Sequence, residues 1–393
     1  MKVVTVLGTR PEIIKMSRVM AALDRYTEHL IVHTGQNYDY ELNQLFFEDL
    51  EIRRPDRFLQ AAGKTAAETI GNVIAKSDEA LTEIRPDAVL ILGDTNSSLA
   101  ALSAKRLRIP VFHMEAGNRC FDDRSPEEIN RRMVDHISDI NMPYSSISRE
   151  YLLREGLRPD RVIKTGSPMF EVLHHYLPKI NASEILSRLN LKPQEYFVAS
   201  FHREENVDDP QQLRRVMDLL NKVAEKYGHR IVLSTHPRTR KRLSQISLEC
   251  RPELEFHQPV GMCDYVHLQM HAKATLSDSG TISEESSILG FPALNLRGVH
   301  ERPEAMEEGT VMMTGVDWVR VEECLAILED QKSGDHRTLR IVADYAAPNV
   351  SQKVVRIIES YTDYVKRVVW HETQPHEPAT YNEKPVTYST VPE

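Results

Sequence analysis

A chain of 393 residues is too long for one small domain and fits two or three at about 100 to 200 residues each. Hydrophobic residues make up 41% and charged residues 27%, the balance of a soluble globular protein with a sizeable core, and no stretch approaches the roughly 20 apolar residues of a membrane span. With 49 basic against 58 acidic residues the formal charge is -9, which excludes the broad cationic surface of a non-specific nucleic-acid binder and leaves room for local anion pockets.

Short apolar runs alternate with longer amphipathic segments along most of the chain, the rhythm of βα units around parallel sheets, so the fold class is α/β. In chain order, strands are predicted at Val3 to Leu7, Leu30 to His33, Ala88 to Leu92, Val111 to Met114, Ile140 to Pro143 and Val162 to Thr165. The rhythm restarts with Tyr196 to Ser200, Ile231 to Ser234, Leu254 to His257, Ala274 to Leu276 and Ala293 to Leu296. Two doubly wound, Rossmann-like domains result, one over 1–175 and one over 176–348, with Leu177-Pro178 and Pro193 marking the crossing. Helical spacing from Val350 to Val368 predicts a last helix, within 349–370, that packs back on the first domain. From His371 the composition turns to Pro, Thr, Glu and Tyr, and 371–393 reads as a mobile tail. The four cysteines, Cys120, Cys250, Cys263 and Cys324, form no Cys-x-x-Cys pair, and the Val3 to Leu7 run is too short for a signal peptide, so a reducing cytoplasm is the expected location.

Ligands of open parallel sheets collect beyond the carboxyl ends of the strands, where helix N-termini and loop amides converge, so the side chains that follow strands are the candidates. After the first strand come Gly8-Thr9-Arg10-Pro11-Glu12 and then Lys15: either an ordinary turn with solvated charges or an anion contact through Arg10. Asp94 and Glu115 end two further strands, and carboxylates at neighbouring strand ends can push one pKa upward and form an acid/base pair. Asp94 is alternatively a helix cap, with Thr95 or Asn96 as rival caps. Ser125-Pro126-Glu127-Glu128 has the form of a capping box, which assigns Glu128 to the helix start and leaves Glu127 either to join the carboxylates or to complement the helix dipole. In the second half, His202 and Arg203 follow a strand, and Asp278-Ser279-Gly280-Thr281 opens a helix as a phosphate cradle, unless Thr281 and Glu284 are only another capping box. Gly-x-Gly-x-x-Gly, Walker A, His-Glu-x-x-His and Gly-x-Ser-x-Gly patterns are absent, and the sixteen histidines are scattered, so neither a metal nor a nucleotide cofactor is expected.

Taken together and in order, Gly8-Thr9-Arg10-Pro11-Glu12, Gly93-Asp94-Thr95, His113-Met114-Glu115-Ala116-Gly117, Pro126-Glu127-Glu128-Ile129-Asn130-Arg131, His202-Arg203-Glu204, Asp278-Ser279-Gly280 and Glu301-Arg302-Pro303-Glu304 resemble the non-hydrolysing UDP-N-acetylglucosamine 2-epimerase family over roughly residues 1 to 368. The resemblance implies two Rossmann-like domains of the glycosyltransferase B type, the second one binding the nucleotide, with a UDP-sugar in the cleft, no metal or nicotinamide, and a homodimer. It implies Asp94, Glu115, Glu127 and His202 as catalytic residues, with Arg10, His202, Ser279 and Gly280 on the diphosphate and Glu285 on the ribose. Lys15, Arg119, Arg203, Thr281 and Arg302 complete the implied substrate contacts. Gly117-Asn118-Arg119-Cys120-Phe121-Asp122 is similar to the branch that converts UDP-2-acetamido-2,6-dideoxy-β-L-talose to UDP-N-acetyl-β-L-fucosamine for capsule and O-antigen synthesis, with Cys120-Phe121 offering an apolar surface to a 6-deoxy methyl group. In the stretch Gln36-Asn37, Asn37 stands where the allosterically activated glucosamine enzymes of the family carry a histidine. A UDP-N-acetylglucosamine 2-epimerase, a UDP-sugar glycosyltransferase and a non-enzymatic sugar-nucleotide-binding regulator are the competing expectations.

Overall fold

Alternate residues of each central strand face opposite sides, and both sides are apolar. Val3 and Leu7 point into one core and Val4 and Val6 into another; Leu90 and Leu92 share the first, Val89 and Ile91 the second. Strands buried on both faces need helices on both faces, and a parallel sheet results. In the computed structural model, which describes residues 1–35, 40–235, 237–246 and 249–372, the first sheet comprises β1 (Lys2–Leu7), β2 (Glu28–His33), β3 (Arg57–Phe58), β4 (Ala88–Leu92), β5 (Val111–Met114) and β6 (Ile140–Met142). The second comprises β7 (Tyr196–Ser200), β8 (Arg230–Ser234), β9 (Leu254–His257), β10 (Ala274–Ser277), β11 (Ala293–Asn295) and β12 (Met312–Met313).

The first sheet runs β3-β2-β1-β4-β5-β6 and the second β12-β11-β10-β7-β8-β9, all parallel. Counted from its own first strand, each sheet has the same Rossmann order, in which the winding reverses between the first strand and the fourth. Those switch points, β1/β4 and β7/β10, put the turns after Leu7, Leu92, Ser200 and Ser277 at the mouth of one interdomain cleft.

Two expectations need correction. Val162 to Thr165 is not a strand: it makes a single bridge to Asn141, and although Ile163 and Thr165 donate to the carbonyls of Asn141 and Pro143, Pro143 has no N–H with which to extend the ladder. The two-residue edge strands β3 and β12 were too short to signal themselves. Position 175, expected to divide the domains, lies inside the helix Met169–Asn181, which packs on both the helix Arg10–Tyr26 and the helix Met262–His271. The last helix, Val350–Val369, buries Val354, Val355, Ile358 and Val365 in the same core as Val3, Leu7 and Ile13, against the helix Arg10–Tyr26. Gln36, Asn37 and, of the expected tail, 373–393 lie outside the described residues.

Candidate active site

The cleft measures 1520 Å³ and is lined from one side by Arg10, Glu12, Lys15, Asp94, Glu115 and Glu127, and from the other by His202, Arg203, Ser279, Gly280, Thr281, Glu285, Glu301 and Arg302. Of the residues expected there, Arg119, Cys120 and Phe121 are not in its wall.

On the first wall, β4 and β5 pair side by side, so Asp94 and Glu115 leave neighbouring strand ends. Asp94 is not a cap. Thr95 caps the short helix Asn96–Leu99, its Oγ1 accepting from the Ser97 N–H at 3.2 Å, and this frees the Asp94 carboxylate to accept from Arg131 Nε at 2.9 Å and from Nη2. Burial pushes the Asp94 carboxyl up; Arg131 opposes this, while Glu115, Glu127 and Glu301 add to it. Glu115 sits in the left-handed region at φ 61°, a conformation costly for a residue with a Cβ and found where a site over-determines the backbone. Its carboxylate takes Lys15 Nζ at 2.7 Å on one oxygen and Arg302 Nη2 on the other, and Lys15 also approaches Glu284 at 3.2 Å. Burial alone would raise the Glu115 pKa, but the two cations outweigh it and hold the group well below the usual carboxylate range. Lys15 and Arg302, expected on the substrate, are thus occupied as ion partners of Glu115 at the cleft wall.

Glu127 and Glu128 open the helix Pro126–Ile137, but not as a capping box. Glu128 is fully buried and turns away from Ser125: it accepts from the Cys120 N–H at 3.0 Å and the Phe121 N–H at 3.3 Å and pairs with Arg131 and Arg132, pinning the loop before the helix. The loop's free amides compete successfully for the carboxylate. Glu127 faces the cleft, accepts from Ser125 Oγ at 2.8 Å and lies 3.5 Å from Arg203 of the opposite domain. Burial would raise its pKa, but Arg203, its own backbone N–H and the Ser125 hydroxyl bring it below its ordinary value. The true capping arrangement belongs to Glu12, whose carboxylate accepts from the Gly8 and Thr9 N–H groups, Thr9 Oγ1 and Thr95 Oγ1; burial nonetheless lifts it to about 7. Arg10 sits with its guanidinium 5.6 Å from the Phe46 ring centroid at the cleft entrance.

The second wall is organised by buried Asp278, a residue whose sequence context carries no sign of this role. It accepts from the His202 and Arg203 N–H groups and from Asn206 Nδ2, and lies 3.0 Å from His202 Nδ1. This fixes the ring and presents Nε2, with the side chain 44% exposed. Ser279 Oγ and Thr281 Oγ1 stand 3.0 Å apart at the start of the helix Ile282–Leu289, beside Gly280. A Cβ at Gly280 would come within 2.6 Å of Glu301 Oε1, so a larger residue would have to displace that carboxylate from Arg203. Thr281 makes no side-chain cap, and Glu284 is a buried partner of Lys15 and Arg302, not a capping residue. Glu301 bridges Arg203 at 3.1 Å and Arg297 at 2.6 Å. Glu285 accepts from Gln269 Nε2 at 3.0 Å, and burial raises it to about 7.

Arg119 is a correction. It is buried behind the first wall, where Nη1 donates to Asp135 at 2.7 Å and Nε and Nη2 make a forked pair with Glu155. Cys120 and Phe121, expected to meet a sugar methyl group, also stand outside the cleft lining: Cys120 Sγ turns to Glu128, and Phe121 is 68% exposed and edge-on to Tyr151.

The family described as UDP-N-acetylglucosamine 2-epimerase matches residues 21–359. The structure of UDP-N-acetylglucosamine 2-epimerase from Rickettsia bellii is 48% identical, with a TM-score of 0.89 over 95% of this chain and 100% of that one. The Methanocaldococcus jannaschii UDP-GlcNAc 2-epimerase, in complex with UDP-GlcNAc and UDP, is 32% identical with a TM-score of 0.86 over 92% and 100%. A UDP-2,3-diacetamido-2,3-dideoxy-D-glucuronate 2-epimerase of Pseudomonas aeruginosa is 33% identical over 80% of this chain and 88% of its own length. With two Rossmann-like domains of the glycosyltransferase B type facing one cleft, the chain belongs to the UDP-N-acetylglucosamine 2-epimerase family of isomerases.

Proposed function

We propose that this UDP-sugar 2-epimerase works by eliminating and re-adding UDP through a 2-acetamido glycal. The observation that carries the reading is the juxtaposition of three carboxylates in unlike environments with a histidine and a helix start on the facing domain. Carbon 2 of a 2-acetamido sugar has no adjacent carbonyl, so removing its proton alone would leave an unstabilised carbanion. Breaking the C1–O bond as the C2–H bond breaks lets the electron pair form the C1=C2 double bond while UDP leaves with the C1–O pair. Re-addition of UDP to C1, with a proton delivered to the opposite face of C2, gives the epimer. Two proton positions and an anion site are therefore needed.

Asp94, raised by burial, and Glu127, lowered by Arg203, have pKa values pushed apart, the condition for an acid and a base to coexist. Glu115, held ionised by Lys15 and Arg302, fixes the charge between them. His202 Nε2, Arg10, Ser279 and Gly280 hold the diphosphate, with Arg203 and Thr281 beside them, and Glu285 holds the ribose. The enzyme would work as a cytoplasmic homodimer.

For the sugar, we propose UDP-2-acetamido-2,6-dideoxy-β-L-talose, giving UDP-N-acetyl-β-L-fucosamine for capsule or O-antigen synthesis, supported by the sequence Gly117 to Asp122. UDP-N-acetylglucosamine is the second reading, favoured by the names of the relatives and by the position of Cys120 and Phe121 outside the cleft lining. Each UDP-sugar is incubated with the protein in deuterated water without an acceptor and followed by NMR. Deuterium at carbon 2 is expected, with the talose sugar turned over faster. Full protium retention would sink the elimination, release of free sugar with UDP would make the enzyme hydrolysing, turnover only with an acceptor would make it a transferase, and faster or sigmoidal turnover of UDP-N-acetylglucosamine would select the second reading.

A further inference from the structure

Behind the carboxylate wall lies a titratable group that the chemistry above does not use. His113, in β5, is fully buried two residues before Glu115. Its Nε2 lies 2.8 Å from the Gly93 carbonyl oxygen, which can only accept, so Nε2 carries a proton. Its Nδ1 lies 3.0 Å from Asp135 Oδ1 and 3.3 Å from Asn141 Oδ1. The Asn141 amide is oriented by its other end, because Nδ2 donates to the Asp135 carbonyl at 2.8 Å, and so its oxygen faces the ring. Asp135 already accepts from Arg119 Nη1 and from the Gly117 N–H, which marks it as an ionised acceptor. Every group facing either ring nitrogen is therefore an acceptor.

We infer that His113 is held as an imidazolium and serves as a positioning residue that ties the turn carrying Asp94 to the turn carrying Glu115. One nitrogen grips the Gly93 carbonyl, immediately before Asp94. The other grips Asp135, which in turn holds the Gly117 N–H at 3.2 Å, two residues after Glu115. Gly117 itself is locked at φ 80°, where a Cβ would meet the Ser148 carbonyl oxygen at 2.4 Å, so the turn has no slack on that side. The brace also gives buried Arg119 its function, as the cation that holds Asp135 Oδ2 while Oδ1 faces the ring. Burial alone would lower the ring's pKa; Asp135, Gly93 and Asn141 outweigh it and raise it.

The positioning role rests on the epimerase reading, whereas the charge state of the ring does not, and two arms of one experiment separate them. In the full-length protein with 15N-labelled histidine, long-range 1H–15N spectra should show one ring with both nitrogens protonated and unchanged from pH 6 to 9, assigned by its displacement in Asn141→Ser. In turnover, His113→Asn should lower kcat by about 10 to 100-fold, the scale of a misplaced catalytic group, with the UDP dissociation constant changed less than about twofold. Asp135→Asn should lower kcat similarly and give the ring a neutral form within the same pH range. A ring that loses a proton between pH 6 and 9 in the unaltered protein, an unchanged kcat in a folded His113→Asn, or a parallel loss of UDP affinity would overturn the inference. Absence of turnover in the unaltered protein with either UDP-sugar would overturn the epimerase reading alone.

Discussion

The two switch points have the same strand order and opposite chemistry. At β1/β4 the turns, with the neighbouring end of β5, deliver Glu12, Asp94 and Glu115; at β7/β10 they deliver His202, Arg203, Ser279 and a bare glycine. Topology decides where a side chain can meet a ligand, and the two or three residues after each strand decide what it can do there. The walls also differ in construction. Three carboxylates of the first are met by different cations, Arg131 for Asp94, Lys15 and Arg302 for Glu115, Arg203 for Glu127, while Glu12 has only amide and hydroxyl donors, and so they titrate differently. The second wall hangs on one buried carboxylate, Asp278, that gathers the whole His202–Asn206 turn. A wall of individually tuned acids suits proton transfer, and a wall preorganised around one anchor suits holding an anion.

The largest test of this contrast is on the first wall. Asp94→Asn and Glu127→Gln should each lower turnover by about 100-fold or more, the usual scale for acid/base groups, with Glu115→Gln comparably affected through the loss of its two ion pairs. Calorimetry should show UDP affinity largely retained in all three. Loss of UDP binding in step with turnover would erase the distinction between the walls. Glu128→Gln should leave chemistry nearly intact and cost about 2 kcal/mol in urea unfolding, because its partners are two amides and two arginines in the fold and none of its atoms reaches the cleft. A folded but inactive Glu128→Gln would move the catalytic group from Glu127 to Glu128.

On the second wall the expected loss is in binding. Arg10→Ala and His202→Ala should each weaken UDP by about tenfold or more, the worth of a charge-assisted hydrogen bond, and slow UDP departure with it. Both variants matter because Arg10 comes from the first domain: equal losses would mean that the anion site spans the cleft, and unchanged affinity in both would mean that the nucleotide lies elsewhere.

Asp94, Glu115 and His202 were legible because apolar strands buried on both faces announce a parallel sheet, and the sheet says which residues stand at its open edge. The strands that were misread were the two-residue edges and Val162 to Thr165, where one proline ends the pairing. The site was less legible where carboxylates choose partners far along the chain. Glu128 and Glu284 both stand three residues after a hydroxyl at a helix start, the local pattern of a capping box, but Glu128 is taken by the Cys120 and Phe121 amides with Arg131 and Arg132 of its own helix, and Glu284 by Lys15 and Arg302. Glu12 stands three residues after Thr9 and does cap. Spacing could not separate the three, because competitors come from other segments: the loop amides of Cys120 and Phe121 for Glu128, and Lys15 and Arg302 for Glu284. For the same reason Arg119, between the cleft residues Glu115 and Asp122 in sequence, is turned by Asp135 and Glu155 to the back of the wall.

The smallest expected effect is one of pH, and it sets one buried acid from each wall against the other. Glu12 and Glu285 are both lifted from 4.5 to about 7 by burial. A carboxyl that binds its proton more tightly folded than unfolded contributes stability that is fully present below pH 4.5 and lost as pH rises through about 7, so both should make the free protein less stable at pH 7.5 than at pH 5. Binding runs the other way for only one of them. If Glu285 accepts the ribose hydroxyls it must do so ionised, and UDP affinity should rise with pH through about 7 and then level off, by a few-fold between pH 6 and 7.5. Glu12 already has four donors within the fold and offers the nucleotide nothing further, so Glu12→Gln should keep this dependence while Glu285→Gln flattens it. Calorimetric titrations of UDP at pH 5.5, 6.5 and 7.5 on the three proteins decide it: a dependence that survives in Glu285→Gln and vanishes in Glu12→Gln would place the ribose carboxylate on the first wall and reverse the division of labour between the two domains.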